Sequence, residues 1–148
     1  MKVCVDKVIS GEWNNCFAAV RPPGHHAGIG GEINGFCFFN NVAAAARYAQ
    51  KSHGIKRVAI LDWDAHHGNS TQEIFFEDSS VLFISIHRHN NGSFYPGQSG
   101  ALSHIGKGKG VGFNLNLPWN NFSSDDFKAD HGLCRFLTIA SISMLLKD

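Results

Sequence analysis

The sequence contains no long apolar segment, no excess of either charge and no closely spaced cysteines. No apolar run reaches the ~18–20 residues of a membrane-spanning helix, and we expect neither a membrane anchor nor a secretory signal. The 13 lysines and arginines nearly balance the 12 acidic residues, giving a net charge of +1, which argues against binding nucleic acid through bulk charge. The four cysteines form no CxxC pair, which excludes a zinc knuckle or thioredoxin-like site and favours a reducing compartment.

Histidine and glycine, in contrast, are abundant and clustered. Eight of the nine histidines fall between positions 25 and 104, and several of the 16 glycines lie beside them. The chain has 148 residues, of which 43% are hydrophobic and 17% charged, as in a globular domain with a core. This distribution predicts a dense active-site layer within one domain.

Apolar runs and turn residues predict alternating strands and helices. The predicted elements are strands at 17–20, 56–63, 81–86 and 111–117, the last ended by Pro118, and helices at 40–53, 70–76 and from about 127. The 70–76 helix is predicted to begin with a capping box, Ser70 to Glu73. The alternation favours an α/β fold with a mainly parallel sheet and helices on both faces, whose ligands bind at the carboxyl ends of strands.

The densest group of chemically active residues follows the predicted strand 56–63. Asp62, Asp64 and His66 alternate, so they would share one face of a strand that stays extended. A carboxylate and an imidazole two residues apart can bind one divalent metal, and zinc accepts both. The alternative is that the two aspartates cap the next helix or pair with basic groups.

A second group is the rigid loop Arg21-Pro22-Pro23-Gly24 with the adjacent His25 and His26. Neighbouring imidazoles on such a loop suit proton transfer near neutral pH, because histidine titrates there. Two ordinary surface histidines are the alternative. His87 and His89, at a later strand end, are more simply interpreted as loop histidines.

Aromatic residues fall in two loops with different expectations. Those of Gly35-Phe36-Cys37-Phe38-Phe39 are expected to pack in the core. Phe94 and Tyr95 lie in a polar, glycine-rich loop, where they could line a narrow channel for a long, thin substrate.

Together these motifs resemble the zinc-dependent histone deacetylase family, whose members have the three-layer arginase/deacetylase α/β fold. The blocks are RPPGHHAG at 21–28, GFCFFNN at 35–41, LDWDAHHGNSTQ at 61–72, SIHRHNNGSFYPG at 85–97 and GVGFNLNLPWN at 110–120. Trp63 and Asn69 resemble class II members.

The resemblance implies a role for each motif residue. Asp64 and His66 are implied as two zinc ligands, and His25 and His26 as the pair that handles the protons of the attacking water and the leaving amine. The remaining implied roles are orientation of His25 by Asp62 and of His26 by Asn69, a potassium site near Asp62, Asp64 and Ser85, and a substrate tunnel walled by Gly35, Phe36 and Tyr95. Tyr95 replaces the phenylalanine or tryptophan more usual in the family.

The resemblance covers about residues 6–130, with a divergent tail at 131–148, so we expect residues 1–148 to form a single, partial deacetylase domain. The family's third metal-ligand aspartate and its downstream oxyanion tyrosine have no match after Asp130. The implied function is zinc-dependent hydrolysis of N-acetyl-lysine in histones or other proteins, in the nucleus or cytoplasm, with corepressor or cytoskeletal partners. An acetylpolyamine deacetylase and an inactive fragment that only binds partners are the alternatives.

Overall fold

The computed structural model describes residues 1–120, and its centre is a parallel three-stranded sheet in the order β1-β2-β3. The strands are β1 (Val58–Asp62), β2 (Val81–Arg88) and β3 (Asn114–Trp119), and the helices are α1 (Lys2–Ile9), α2 (Asn41–His53) and α3 (Asn69–Phe75). The predicted α/β class with a parallel sheet is confirmed. Within residues 1–120, no helix has the length and apolar character needed to cross a membrane.

Helix α2 forms where its end signals predict it. The side chain of Asn40 accepts a hydrogen bond from the Ala43 amide at 3.0 Å, and Gly54 ends the helix in the left-handed conformation at φ 71°. Its small residues Ala43 and Ala46 let the helix approach the sheet closely. They are buried in one cluster with the side chains of Ile60, Phe75, Val81 and Phe83.

Helix α1 is attached to α2 by a polar cluster. One carboxylate oxygen of Asp6 accepts the Tyr48 hydroxyl at 2.8 Å and lies 2.7 Å from Nε2 of His53. These hydrogen bonds, with that from Tyr48 the stronger influence, lower the pKa of Asp6. The cluster joins α1 to α2 and contains no residue of the motifs at 21–28 and 61–72.

Two strand predictions are wrong in detail. Residues 17–20 form no strand, and Phe17 is 92% exposed, because no strand among residues 1–120 supplies the hydrogen bonds that would make this segment part of a sheet. Strand β3 begins later than predicted and runs through Pro118 to Trp119. A proline is tolerated there because β3 lies at the edge of the described sheet, where a missing amide costs little.

The predicted capping box of α3 is also wrong. The helix begins one residue earlier, with Gly68 as its N-cap and no side-chain cap, and Ser70 is buried in the first turn. The Ser70 amide donates instead to the carbonyl oxygen of His25 at 3.1 Å. A tertiary contact thus replaces the local cap and attaches the histidine loop to the start of α3. The predicted helix from about 127 lies outside the described residues.

Candidate active site

The candidate site lies at the carboxyl end of β1, where the loop carrying His25 and His26 meets the first turn of α3. Gly68, between β1 and α3, leaves the space this meeting requires. A Cβ atom there would lie 2.2 Å from Oδ2 of Asp62 and 3.3 Å from Nδ1 of His25. The absence of a side chain at this position therefore allows Asp62 and His25 to make contact.

His25 faces a charged partner. Its Nδ1 lies 2.8 Å from Oδ2 of Asp62, and because a carboxylate only accepts hydrogen bonds, Nδ1 carries the proton. Burial lowers the pKa of His25, but the hydrogen bond to Asp62 and the charges of Asp62 and Asp64 outweigh it, so the net pKa is raised. The environment thus favours a protonated His25.

His26 faces a neutral partner. Its Nδ1 donates to Oδ1 of Asn69 at 2.6 Å, which leaves Nε2 as the basic nitrogen of the neutral ring. Burial lowers the pKa of His26, and the nearby His25 and His66 lower it further. The two rings lie with their centroids 4.1 Å apart. Of the two adjacent histidines, His25, beside a carboxylate, therefore favours the protonated form, and His26, beside an amide, favours the neutral form.

Asp64 and His66 lie beside this pair, but not on an extended strand. β1 ends at Asp62, and the chain then bends twice, because Asp62 Oδ1 accepts the Asp64 amide at 3.1 Å and Asp64 Oδ1 accepts the His66 amide at 2.8 Å. The expectation that the strand stays extended through His66 is wrong. These carboxylate-to-amide bonds still direct Asp64 and His66 toward each other, with Oδ1 and Nδ1 3.2 Å apart.

This pair has the chemistry and spacing of two ligands of one zinc ion. Zinc bonds of about 2.0–2.2 Å in a tetrahedral arrangement place two ligand atoms about 3.3–3.6 Å apart, close to the 3.2 Å between these two atoms. Both side chains are nearly half exposed, and the pKa of Asp64 is lowered because amide and imidazole neighbours outweigh its burial. Among residues 1–120, however, no group of three or more His, Cys, Asp or Glu side chains is arranged to hold a metal. The described part therefore fits two zinc ligands.

Ser85 is brought next to Asp62 by the sheet register. The two residues pair across β1 and β2, and Ser85 is completely buried. His87 Nε2 donates to the carbonyl of Gly100 at 3.0 Å, so its Nδ1 accepts the Ser85 hydroxyl at 2.9 Å. The lone pairs of the Ser85 oxygen remain available to a cation.

Exposed aromatic side chains surround these polar groups. Phe36 is 90% exposed and Phe39 is 80% exposed, so the expectation that the 35–39 aromatics pack in the core is wrong. The reason is the backbone: Gly35 and Phe36 adopt left-handed conformations in a tight turn, which directs Phe36 outward. The ring of Tyr95 packs edge-on against His26, with centroids 5.0 Å apart.

A stack of three side chains supports His66. Its ring lies parallel to Phe94, with centroids 5.0 Å apart and an angle of 14° between planes. The guanidinium of Arg88 lies over the Phe94 ring, 4.2 Å from its centroid. The Arg88 amide also donates to the Ala65 carbonyl at 2.9 Å, so the end of β2 is attached to the turn that carries His66.

Beneath the site lies a buried polar network that the sequence interpretation missed. Oε1 of Gln72 accepts from His67 Nε2 and from the side-chain amides of Asn114 and Asn116, at 2.8–3.1 Å. Burial lowers the pKa of His67 to about 3, and the neighbouring His87 adds to the effect. The signal was the alternation of Asn and Leu in β3, which places two amides on a buried face.

The expectation of loop histidines is wrong for His87 and correct for His89, which lies directly after β2, but both side chains are buried. His87 belongs to β2, has no exposed surface, and lies with its ring centroid 4.5 Å from that of His67. The Ser85 hydroxyl on the same strand and the Gly100 carbonyl in the loop before β3 satisfy both ring nitrogens of His87, which makes its burial possible.

The family of this chain follows from its similarity to known proteins. Residues 2–132 match the family model described as the histone deacetylase domain. The chain belongs to the histone deacetylase family. Its relatives include histone deacetylase 6 of Caenorhabditis elegans, 55% identical over 113 residues, and histone deacetylase 7 of Homo sapiens, 54% identical over 113 residues. Each alignment covers 76% of this chain and 12% of the relative.

A solved deacetylase structure shows the same fold. The crystal structure of the HDA15 HD domain matches with a TM-score of 0.77 at 50% identity, covering 82% of this chain and 34% of that chain. Histone deacetylase 5 of Arabidopsis thaliana is 51% identical over 119 residues, which cover 78% of this chain and 18% of the relative. The described sheet and helices therefore have the arginase/deacetylase fold, and the chain spans a minor part of each relative.

Proposed function

We propose that this chain carries the proton-transfer residues and two metal ligands of a zinc-dependent protein lysine deacetylase. The observation that carries the proposal is the position of His26: Asn69 fixes its Nδ1, its Nε2 is the basic atom, and its ring centroid lies 6.1 Å from that of His66. A base is thereby held beside the residues suited to bind zinc.

The proposed metal residues are those with the matching donor chemistry. Asp64 and His66 would hold zinc, which when bound polarises an acyl carbonyl and makes water a better nucleophile. Asp62 and Ser85, paired in register and with oxygen lone pairs available, would bind potassium with Asp64.

In the proposed reaction, Nε2 of His26 takes a proton as the water oxygen bonds to the acetamide carbon. The same proton then passes to the lysine nitrogen as the carbon–nitrogen bond breaks, giving acetate and the free amine. His25 supplies a positive ring beside the reaction centre, because Asp62 favours its protonated form. Phe36 and Tyr95 would flank the lysine side chain.

The proposed substrates are acetyl-lysine side chains of histones or other proteins, in the nucleus or cytoplasm, as for enzymes of this family. Corepressor or cytoskeletal proteins are the proposed partners. These assignments rest on family membership, since the described residues carry no feature specific to one partner.

Acetate release tests the proposal. The purified chain, incubated with zinc, is expected to release acetate from an acetyl-lysine peptide faster than from N-acetylputrescine, and to lose this activity with a chelator. His26→Ala is expected to abolish the activity, whereas His53→Ala, on the α1–α2 cluster, retains it. Absence of zinc-dependent acetate release from a folded sample would contradict the proposal, and a preference for N-acetylputrescine would favour a polyamine substrate.

A further inference from the structure

Residues 34–37, called here the Phe36 loop, form a tight turn against His26. The Cys37 amide donates to the Asn34 carbonyl at 2.8 Å, and both residues between them have positive φ. A Cβ atom on Gly35 would lie 2.2 Å from Cδ2 of His26, so the loop backbone touches that ring. The position of Phe36 therefore depends on how firmly this turn is held.

The buried Cys37 holds the loop from one side. Its sulfur accepts the Gly24 amide at 3.1 Å and donates to the Gly35 carbonyl at 3.3 Å. The thiol thus links the Phe36 loop to the segment that carries His25 and His26.

Tyr95 holds the loop from the other side. Its hydroxyl donates to Oδ1 of Asn34, and the same oxygen accepts the Gly35 amide at 2.9 Å. Burial raises the pKa of Tyr95, so the hydroxyl is a protonated donor at neutral pH. A phenylalanine here would keep the ring against His26 but would have no donor for Asn34.

We propose that Tyr95 is a positioning residue whose hydroxyl, through Oδ1 of Asn34, fixes the Phe36 loop and with it the width of the substrate entrance. The substrate in this inference rests on the proposed function, whereas the contacts of Tyr95 with Asn34 and His26 do not depend on it. Tyr95 and the Phe36 loop lie against the same His26 ring, and the hydrogen bond joins them into one rim. A fixed rim favours a slender acyl chain over a bulkier one.

Amide hydrogen exchange of the full chain tests the geometry without any activity. In Tyr95→Phe, the Gly35 and Cys37 amides are expected to exchange about three- to tenfold faster, the factor that loss of one hydrogen bond gives. Tyr48→Phe removes the other tyrosine hydroxyl, on α2, and is expected to leave these amides unchanged. Asn34→Asp keeps an oxygen acceptor and is expected to preserve the protection. Unchanged exchange in Tyr95→Phe would overturn the proposal.

Kinetics then test the consequence for substrate choice. Tyr95→Phe is expected to raise KM for an acetyl-lysine peptide about three- to tenfold with little change in kcat, and to raise the ratio of butyryl-lysine to acetyl-lysine turnover. Equal ratios in both proteins would refute the role in selectivity. If the unmodified chain is inactive, the proposed function fails, while the exchange measurement still decides whether Tyr95 fixes the loop.

Discussion

Oδ2 of Asp62 lies 2.8 Å from Nδ1 of His25, whereas the neighbouring His26 is oriented by the neutral amide of Asn69. Burial lowers the pKa of both imidazoles, whereas only His25 has a charged hydrogen-bond partner, Asp62. The two pKa values therefore move apart: that of His25 is raised and that of His26 is lowered. Such a separation divides acid and base roles between two residues of one type.

Asp62→Asn is expected to bring the pKa of His25 below its ordinary value. The substitution removes the Asp62 charge that raises this pKa, replaces the carboxylate partner with a neutral amide oxygen like that at His26, and leaves the burial that lowers the pKa. The imidazole proton resonances of the metal-free chain, followed by NMR against pH, would measure the change. Asn69→Asp is the matched comparison and is expected to raise the pKa of His26. A His25 titration that Asp62→Asn does not move would contradict this electrostatic account.

Gly68→Ala is expected to separate Asp62 from His25. The backbone at Gly68 has an ordinary negative φ of −76°, so the cost comes from the added methyl, which would overlap Oδ2 of Asp62. We expect a loss of roughly 1–3 kcal/mol in the free energy of unfolding, measured with urea, and a lowered pKa for His25. Gly28→Ala is the control, because the backbone at Gly28 also lies outside the left-handed region and its Cβ would meet only the side chain of Glu32, at 3.1 Å. Equal effects of both variants would contradict the steric explanation.

Stability is expected to fall as the pH falls from 7.5 to 5, because His67 is buried in its neutral form. His67 binds a proton near pH 6.5 in the unfolded chain, whereas its pKa in the folded chain is about 3. Between these pH values only the unfolded chain is protonated at His67, so the free energy of unfolding decreases as the pH falls. The loss from His67 amounts to about 2 kcal/mol at pH 5. His25 acts oppositely, since its raised pKa stabilises the fold below pH 6.5 and this contribution is lost as the pH rises.

Urea unfolding of His67→Gln at several pH values would isolate this contribution. In this variant the difference in free energy of unfolding between pH 7.5 and pH 5 is expected to be about 2 kcal/mol smaller than in the unmodified chain, whatever the stability of the variant at pH 7.5. His53→Gln, which changes a histidine outside the buried network, is expected to retain the full difference. A His67→Gln curve parallel to that of the unmodified chain would show that His67 does not cause the pH dependence.

The sequence predicted what local patterns determine. Helix α2 has its own start and stop residues, and β1 and β2 are apolar runs, so each was found within one or two residues of its observed bounds. The parallel sheet followed from their alternation. These elements place the Asp62–Asn69 segment at a strand end, where the sequence predicts the candidate site.

What the sequence did not predict depends on contacts between distant segments. The Ser70 amide, in the first turn of α3, donates to the carbonyl of His25, 45 residues away along the chain, which no capping rule anticipates. The buried His67 and His87 have partners in α3 and in the loop before β3, up to 32 residues away along the chain. The outward position of Phe36 depends on positive φ values at Gly35 and Phe36. The apolar side chain of Phe36 instead predicts burial.

Phe94→Leu is expected to weaken zinc binding by the chain, because Phe94 lies between Arg88 and the proposed ligand His66. Leucine keeps apolar volume but cannot stack on the imidazole or receive the guanidinium on a ring face, contacts worth roughly 0.5–1.5 kcal/mol each. The expected result is about a three- to tenfold higher Kd for zinc, measured by competition with a chromophoric chelator. Phe39→Leu, at a largely exposed position, is the control and is expected to leave Kd unchanged. Identical Kd values for the unmodified chain and Phe94→Leu would show that stacking does not position His66. A His66→Ala variant that binds zinc as tightly as the unmodified chain would show that His66 is not a zinc ligand.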